Sequence, residues 1–263
     1  MIQKSTDQKN EKRTSIFWRF FFPLRSFCPS LIVFIALTPF FSHFYLEAES
    51  IEEGKQRLTE LHSKLQIKYG SFAEEYPEQL MSVRYISNEA KVLEIGGNIG
   101  RNSCVIGSLL KDSKTLVVSE PCLQDAGRLQ ENRDLNKLEF GIEPAAVSKV
   151  KLIQSGWKTI PSSELLPGFS QVNIISFSEL EQKYGIQFDT LVVDCEGALY
   201  QMLLDDPKML DNIKLIIIEN DFDNIESMKF VHEHFKKHGL QCVYNEAGGW
   251  GPCYGCFYQV WKK

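Results

Sequence analysis

Positive charge is in deficit. The 263 residues hold 29 Lys and Arg against 34 Asp and Glu, a net charge of −5. That sign argues against a general nucleic-acid binder, although a local basic patch is compatible with it. A disulfide framework is also missing. Cys28, Cys104, Cys122, Cys195, Cys242, Cys253 and Cys256 are scattered, not spaced as a scaffold. Only Cys253 and Cys256, in "CYGC", form a local pair. A single CxxC is weak support for zinc. The strand-like "CFYQVWKK" that follows is not the helix a thioredoxin-type pair needs. Buried or incidental thiols are the expectation. There is no Asn-x-Ser/Thr sequon, no G-x-x-x-x-G-K-[ST] phosphate loop and no H-E-x-x-H zinc helix.

What is present is ordinary globular composition: 43% apolar and 24% charged residues. The length suits one large domain, or a domain with an appendage. Charge is uneven. Residues 1–25 carry +4, which leaves −9 for the rest. Residues 27–46, "FCPSLIVFIALTPFFSHFYL", contain no charged side chain. A helix of about 20 mainly apolar residues spans the hydrocarbon core. The preceding "FWRFFFPLR" mixes aromatics and arginines, as an interface belt does. We therefore expect a basic tail at 1–26 and a transmembrane signal anchor at 27–46. Basic residues before the span put the N-terminus in the cytosol and the body on the lumenal or extracytosolic side. A cleaved signal peptide and a buried helix of the body are the alternatives. Residues 47–84 read as a helical stalk or docking segment, broken at Pro77 in "EEYPEQ".

From Lys91 the chain alternates strand-like and helix-like stretches. "KVLEI", "TLVVSE", "DTLVVDC" and "KLIIIEN" are near-continuous apolar runs, as in strands buried on both faces. Stretches 99–110, 123–135 and 199–210 between them are long enough to cross over as helices. A last helix is expected at 226–237, with final strands near 240–244 and 255–261. Repeated strand–helix units imply an α/β fold, a mostly parallel sheet with helices on both faces. Residues 140–178 are rich in turn formers and fit an excursion with short strands.

The glycine-rich turn "VLEIGGNIG" follows the first of these strands. A dinucleotide fingerprint needs G-x-G-x-x-G, and Asn98 stands where its second glycine should be. What remains is E-x-G-x-x-x-G: Glu94, Gly96 and Gly100. Glycines permit positive φ and close backbone approach to a ligand. The following helix points its N-terminal amides at the same place. Glu94 can accept a hydrogen bond or counter a cation, so the loop suits a sulfonium nucleoside better than a polyphosphate. Glu120 ends the second strand, where an acid can bind both hydroxyls of a ribose. That feature is shared by NAD proteins.

These pieces together resemble the FkbM family of S-adenosylmethionine-dependent methyltransferases. The matching segments are "VLEIGGNIGRNS", "VVSEPCLQDAGRLQENRDLN", "AAVS", "ISFSELEQKYGIQFDTLVVDCEGALYQML" and "LIIIEND". "DCEGALYQML" is similar to the family's Asp-x-Glu-Gly-x-Glu segment, with Leu199 where an acid is frequent. Glu94 stands where Asp is commoner. The resemblance implies a Rossmann-like class I methyltransferase fold over 85–263, with a seven-stranded sheet. It implies that Glu94, Gly96, Asn98 and Gly100 surround the methionine part of S-adenosylmethionine. Glu120 would bind the ribose, Pro121 and Cys122 would lie beside the adenine, and Ala145 and Ala146 would approach the adenine edge. Asp194 would face the reacting methyl group, with Glu196 and Gly197 shaping the turn beneath it.

Methyl transfer is an in-line displacement at carbon, so alignment supplies much of the rate. A hydroxyl acceptor must also lose a proton, and Asp194 or Glu196 is the candidate base or orienting acceptor. His232, His234 and His238 are read as solvated helix residues, and no metal site is expected. The implied acceptor is a hydroxyl of a sugar, glycan or small molecule. Trp157, Phe169 and Trp250 are expected to border it. Two other classes stay in view. One is an NAD-dependent oxidoreductase, disfavoured by Asn98 and by Tyr184 having no lysine four residues on. The other is a membrane-tethered adaptor that kept the fold and lost catalysis.

Overall fold

The computed structural model describes residues 49–156 and 158–263. The expected tail and anchor at 1–26 and 27–46 lie outside the described residues, as does Trp157. Among the described residues no helix is long and apolar enough to cross a membrane.

Two helices open the described chain, α1 (Ile51–Lys64) and α2 (Tyr76–Tyr85). Ser50 and Glu53 close a capping box at the start of α1, satisfying two amides that the first turn leaves free. Leu58 of α1 is buried with Leu80 and Val83 of α2, which docks the helix on the body. Pro77 does not break the chain as expected. It sits in the first turn of α2, where a missing N–H costs no helical hydrogen bond.

The alternation then runs β1 (Val92–Ile95), α3 (Arg101–Leu109), β2 (Leu116–Ser119), α4 (Leu123–Leu135) and β3 (Gly141–Glu143). The excursion follows as β4 (Ala146–Val147), β5 (Leu152–Ser155), β6 (Lys158–Pro161), β7 (Ser170–Gln171) and β8 (Ile174–Ile175). The chain returns through α5 (Phe177–Tyr184), β9 (Thr190–Val193), α6 (Leu199–Asp205), β10 (Leu215–Glu219) and α7 (Ile225–Lys237). It ends in β11 (Gln241–Glu246) and β12 (Tyr258–Lys262). The expected helix at 199–210 is shorter. It closes at Asp205, and Pro207 starts a separate 3-10 turn to Leu210 because proline supplies no amide to continue the ladder.

The main sheet has seven strands in the order β11-β12-β10-β9-β1-β2-β3. All neighbours are parallel except those of β12, which runs antiparallel to both β10 and β11. An antiparallel last strand inserted between the fifth and sixth is the sheet order of the Rossmann-like methyltransferase fold. The excursion forms two small sheets, β4-β8 and β6-β5-β7.

Strand alternation sorts the core into two layers. Leu93, Ile95, Leu191, Val193, Ile216 and Ile218 face Leu180 of α5, Leu203 of α6 and Phe235 of α7. Val92, Val118, Val192, Leu215 and Ile217 face Met81 of α2, Ile106 of α3 and Leu129 of α4. By the same alternation Glu94 and Glu219 project to the α2 side. That parity matters for the site.

Candidate active site

In an open α/β sheet, ligands sit beyond the carboxyl ends of strands where the chain order reverses. Here that point lies between β1 and β9, which pair directly although a long stretch of chain separates them. The glycine turn leaves β1 at this edge. The amides of Gly96 and Gly97 both donate to Ser119 O at the end of β2. Gly96 has φ +90, and a Cβ built on it would lie 1.6 Å from Asp194 O. The turn therefore crosses the end of β9 in direct backbone contact, which only glycine permits. Asn98 is also left-handed, at φ 47. Gly100, at φ 88, is the N-cap of α3.

Glu120 holds this turn in place. Its Oε2 accepts from Asn98 N at 2.8 Å, and its Oε1 accepts from Cys122 N at 2.7 Å. Ser119 Oγ donates to Ala145 O at 2.6 Å, which brings the start of the excursion beside Glu120. Ala146 N donates to Asn173 O, and both alanines are buried. Burial pushes the Glu120 carboxyl up to about 7, against the pull of its two amide donors. The structure thus gathers Gly96, Asn98, Gly100, Glu120, Cys122 and Ala145 around one rim. Pro121 lies between Glu120 and Cys122, half-buried.

Glu94 stands behind that rim. It is 3% exposed, and burial pushes its carboxyl up to about 8. The Ser103 hydroxyl and Asn102 side chain draw it partly back. Even so, Glu94 Oε2, Asn102 Nδ2 and Ser103 Oγ all lack a hydrogen-bond partner. Burial thus favours the protonated form of Glu94, the form that accepts or donates a hydrogen bond more readily than it counters a cation.

The end of β9 carries a concentration of acids. Asp194 N donates to Ile95 O, and Gly197 N donates to Asp221 Oδ1 at 2.8 Å. Glu196 is left-handed at φ 52. Burial pushes the Asp194 carboxyl well above the usual range, and Glu219, Asp221, Glu75 and Glu196 push it further. Glu196 is raised too, first by burial and then by Glu219 and Asp223. Asp221 is buried and raised to about 7.

Three acids absent from the sequence-derived site belong here: Glu78, Glu219 and Asp221. "LIIIEND" contains two of them at the end of a buried strand, where strand-end carboxylates signal function. Glu78 had no such signal, because it lies in the segment expected only as a helical stalk or docking element.

Other expectations resolve less productively. His232 is not solvated. Its Nε2 lies 3.0 Å from Asn220 Oδ1, its ring packs against Trp261, and burial pushes its pKa down to about 4. Cys253 is buried and Cys256 half-buried, both as free thiols. Tyr258 and Lys262 are spaced as Tyr-x-x-x-Lys, but they lie in the extended strand β12 and not on a helix. Trp250 is exposed and Phe169 half-buried.

No protein-family model matches the chain, and no curated protein is similar to it in sequence. Solved structures to which it is similar include a ribosomal protein L11 methylase from Lactobacillus delbrueckii subsp. bulgaricus, with 12% identity, a TM-score of 0.47, and coverage of 75% of this chain and 81% of that one. Another is the tRNA (m1A58) methyltransferase TrmI from Aquifex aeolicus, with 12% identity, a TM-score of 0.42, and coverage of 77% and 74%. A third is an O-methyltransferase from Bacillus cereus in complex with SAH, with 14% identity, a TM-score of 0.41, and coverage of 83% and 94%. The fold assignment rests on the sheet order.

Proposed function

We propose that the chain is an S-adenosylmethionine-dependent methyltransferase acting on a hydroxyl of a sugar, glycan or small molecule. The observation that carries this reading is Glu120. It ends the second strand, fixes the glycine turn through Asn98 N, and keeps a free lone pair on each oxygen for a ribose hydroxyl. The FkbM resemblance of "DCEGALYQML" supports the same reading. The turn from Gly96 to Gly100 and the N-terminus of α3 receive the methionine part. Pro121, Cys122, Ala145 and Ala146 border the adenine.

Bound there, S-adenosylmethionine would supply a methyl group on a cationic sulfur, which would leave with the electron pair as the acceptor oxygen bonded to the carbon. Asp194 orients the acceptor. Glu196 is less buried than Asp194 and is the better proton acceptor. Asn98, in place of the fingerprint glycine, weighs against NAD.

Titration calorimetry of the purified chain with S-adenosylmethionine, beside NAD, tests the reading. Glu120→Ala is expected to weaken S-adenosylmethionine about 10- to 100-fold, as loss of charge-assisted hydrogen bonds worth ~1.5–3 kcal/mol implies. A folded protein that ignores S-adenosylmethionine, or takes NAD instead, sinks it. Cofactor binding without turnover on any acceptor favours the adaptor.

We also propose that residues 27–46 anchor the chain with its body on the lumenal side, which fits glycan acceptors. Protease added to sealed microsomes should spare the body until detergent is added. Digestion in intact vesicles would place the body in the cytosol. An unchanged methyl-sugar profile in a deletion strain would count against glycans.

A further inference from the structure

Glu78, Asp194 and Glu219 each offer a carboxylate oxygen, and the three atoms lie within 4.8 Å of one another. They come from three separate elements: α2, the turn after β9 and the last residue of β10. Parity brings them together, since Glu219 shares the α2-facing side of β10 with Leu215 and Ile217. Helix α2 packs on β10 and delivers Glu78 from above.

The cluster lacks a cation from the protein. Among the described residues no lysine, arginine or histidine forms a salt bridge with Glu78, Asp194, Glu219 or Asp221. Arg101, the nearby guanidinium, is taken by Glu74 and Glu75. A second observation is independent of the clustering. Glu78 is 5% exposed, yet its Oε1 has no hydrogen-bond partner. Asp221, equally buried, leaves Oδ2 unpartnered beside the same strand end. Buried carboxylate oxygens are costly unless paired, hydrogen-bonded or bound to a metal.

We propose that Glu78, Asp194 and Glu219 bind a hard divalent cation of the magnesium, manganese or calcium class. An all-oxygen, all-carboxylate donor set selects these ions over zinc or copper, which favour nitrogen and sulfur. One oxygen from each residue leaves half of an octahedral shell for water or for ligand oxygens. The cation sits at the end of β9, whose Asp194 carbonyl touches Gly96 of the cofactor turn. On the methyltransferase reading, on which this clause rests, it would hold an acceptor with two adjacent oxygens, such as a vicinal diol.

Manganese(II) is the probe. The full chain, purified and stripped with chelator, is titrated with Mn(II) and the free-ion electron paramagnetic resonance signal is followed. One ion per chain should bind at micromolar concentration, and Mg(II) should compete. Glu78→Gln and Glu219→Gln should each weaken Mn(II) by at least about tenfold. Each removes one uncompensated carboxylate, so the metal-free fold should hold, and a urea melt of each variant checks that it does. S-adenosylmethionine titration of the same samples separates the two readings. Mn(II) binding without cofactor binding keeps the cation site and sinks the methyltransferase. Cofactor binding with no Mn(II) taken up at millimolar concentration overturns the cation site. So does Mn(II) binding that both variants leave unchanged; the first of these results would mean that Glu78 and Glu219 share a proton in place of an ion.

Discussion

Gly96→Ala is expected to cost the protein about 3–5 kcal/mol or to prevent folding, the range of severe overpacking and backbone strain combined. The added Cβ would lie 1.6 Å from Asp194 O and 2.8 Å from its carbonyl carbon. Neither atom can step aside freely. Asp194 N is tied to Ile95 O, and the residues before it pair with both β1 and β10. The φ of +90 adds a left-handed penalty of roughly 1–2 kcal/mol for any L side chain. Gly127→Ala supplies the contrast. It lies on the exposed face of α4, with nothing within 4 Å of its Cβ position. Replacing a helical glycine there should stabilise by about 0.5–1 kcal/mol. Urea melts of the two variants read both signs. A Gly96→Ala protein as stable as wild type would mean that the turn does not cross β9 as closely as described, and the cofactor site would lose its geometric basis.

The sheet was legible because its signals are local. "KVLEI", "DTLVVDC" and "KLIIIEN" are buried on both faces, so their composition alone marks them as central strands. The expected helix at 123–135 matches α4 at both ends. The contact between the glycine turn and Glu120 was legible for the same reason: a glycine turn and a strand-end acid are each visible within a few residues. What the sequence hid depends on packing. Pro77 reads equally as a break or as a first-turn residue, and only the docking of α2 on α3 and β10 decides. Glu78 was hidden in the same segment. Glu94 carries no mark of its raised pKa, which follows from burial. His232 looks like any polar helix residue until Trp261 and Asn220 close over it.

Glu94→Gln should make the free protein more stable at alkaline pH and leave it little changed in acid. Burial lifts the Glu94 carboxyl from 4.5 in the unfolded chain to about 8 in the fold. A raised acid is protonated in the native state while the unfolded chain has already released its proton. Its contribution is therefore fully present below pH 4.5 and is lost as pH rises through about 8. The wild-type loss over that window is at most about 5 kcal/mol, at roughly 1.4 kcal/mol per pH unit. Glutamine mimics the protonated acid in shape and cannot ionise. Its amide can also reach toward Ser103 Oγ, which has no partner in the wild type. Glu120 and Asp221 are raised into the same range, and Asp194 and Glu196 are raised as well, so wild-type stability alone would mix several groups. The difference between wild type and Glu94→Gln isolates one of them. Urea melts at about pH 5, 7 and 9 should show that difference growing with pH, by a few kcal/mol in total. A constant difference across the series would mean that Glu94 is already ionised in the fold. The glycine turn would then carry a standing negative charge beneath it, ready to counter the cation of a bound cofactor.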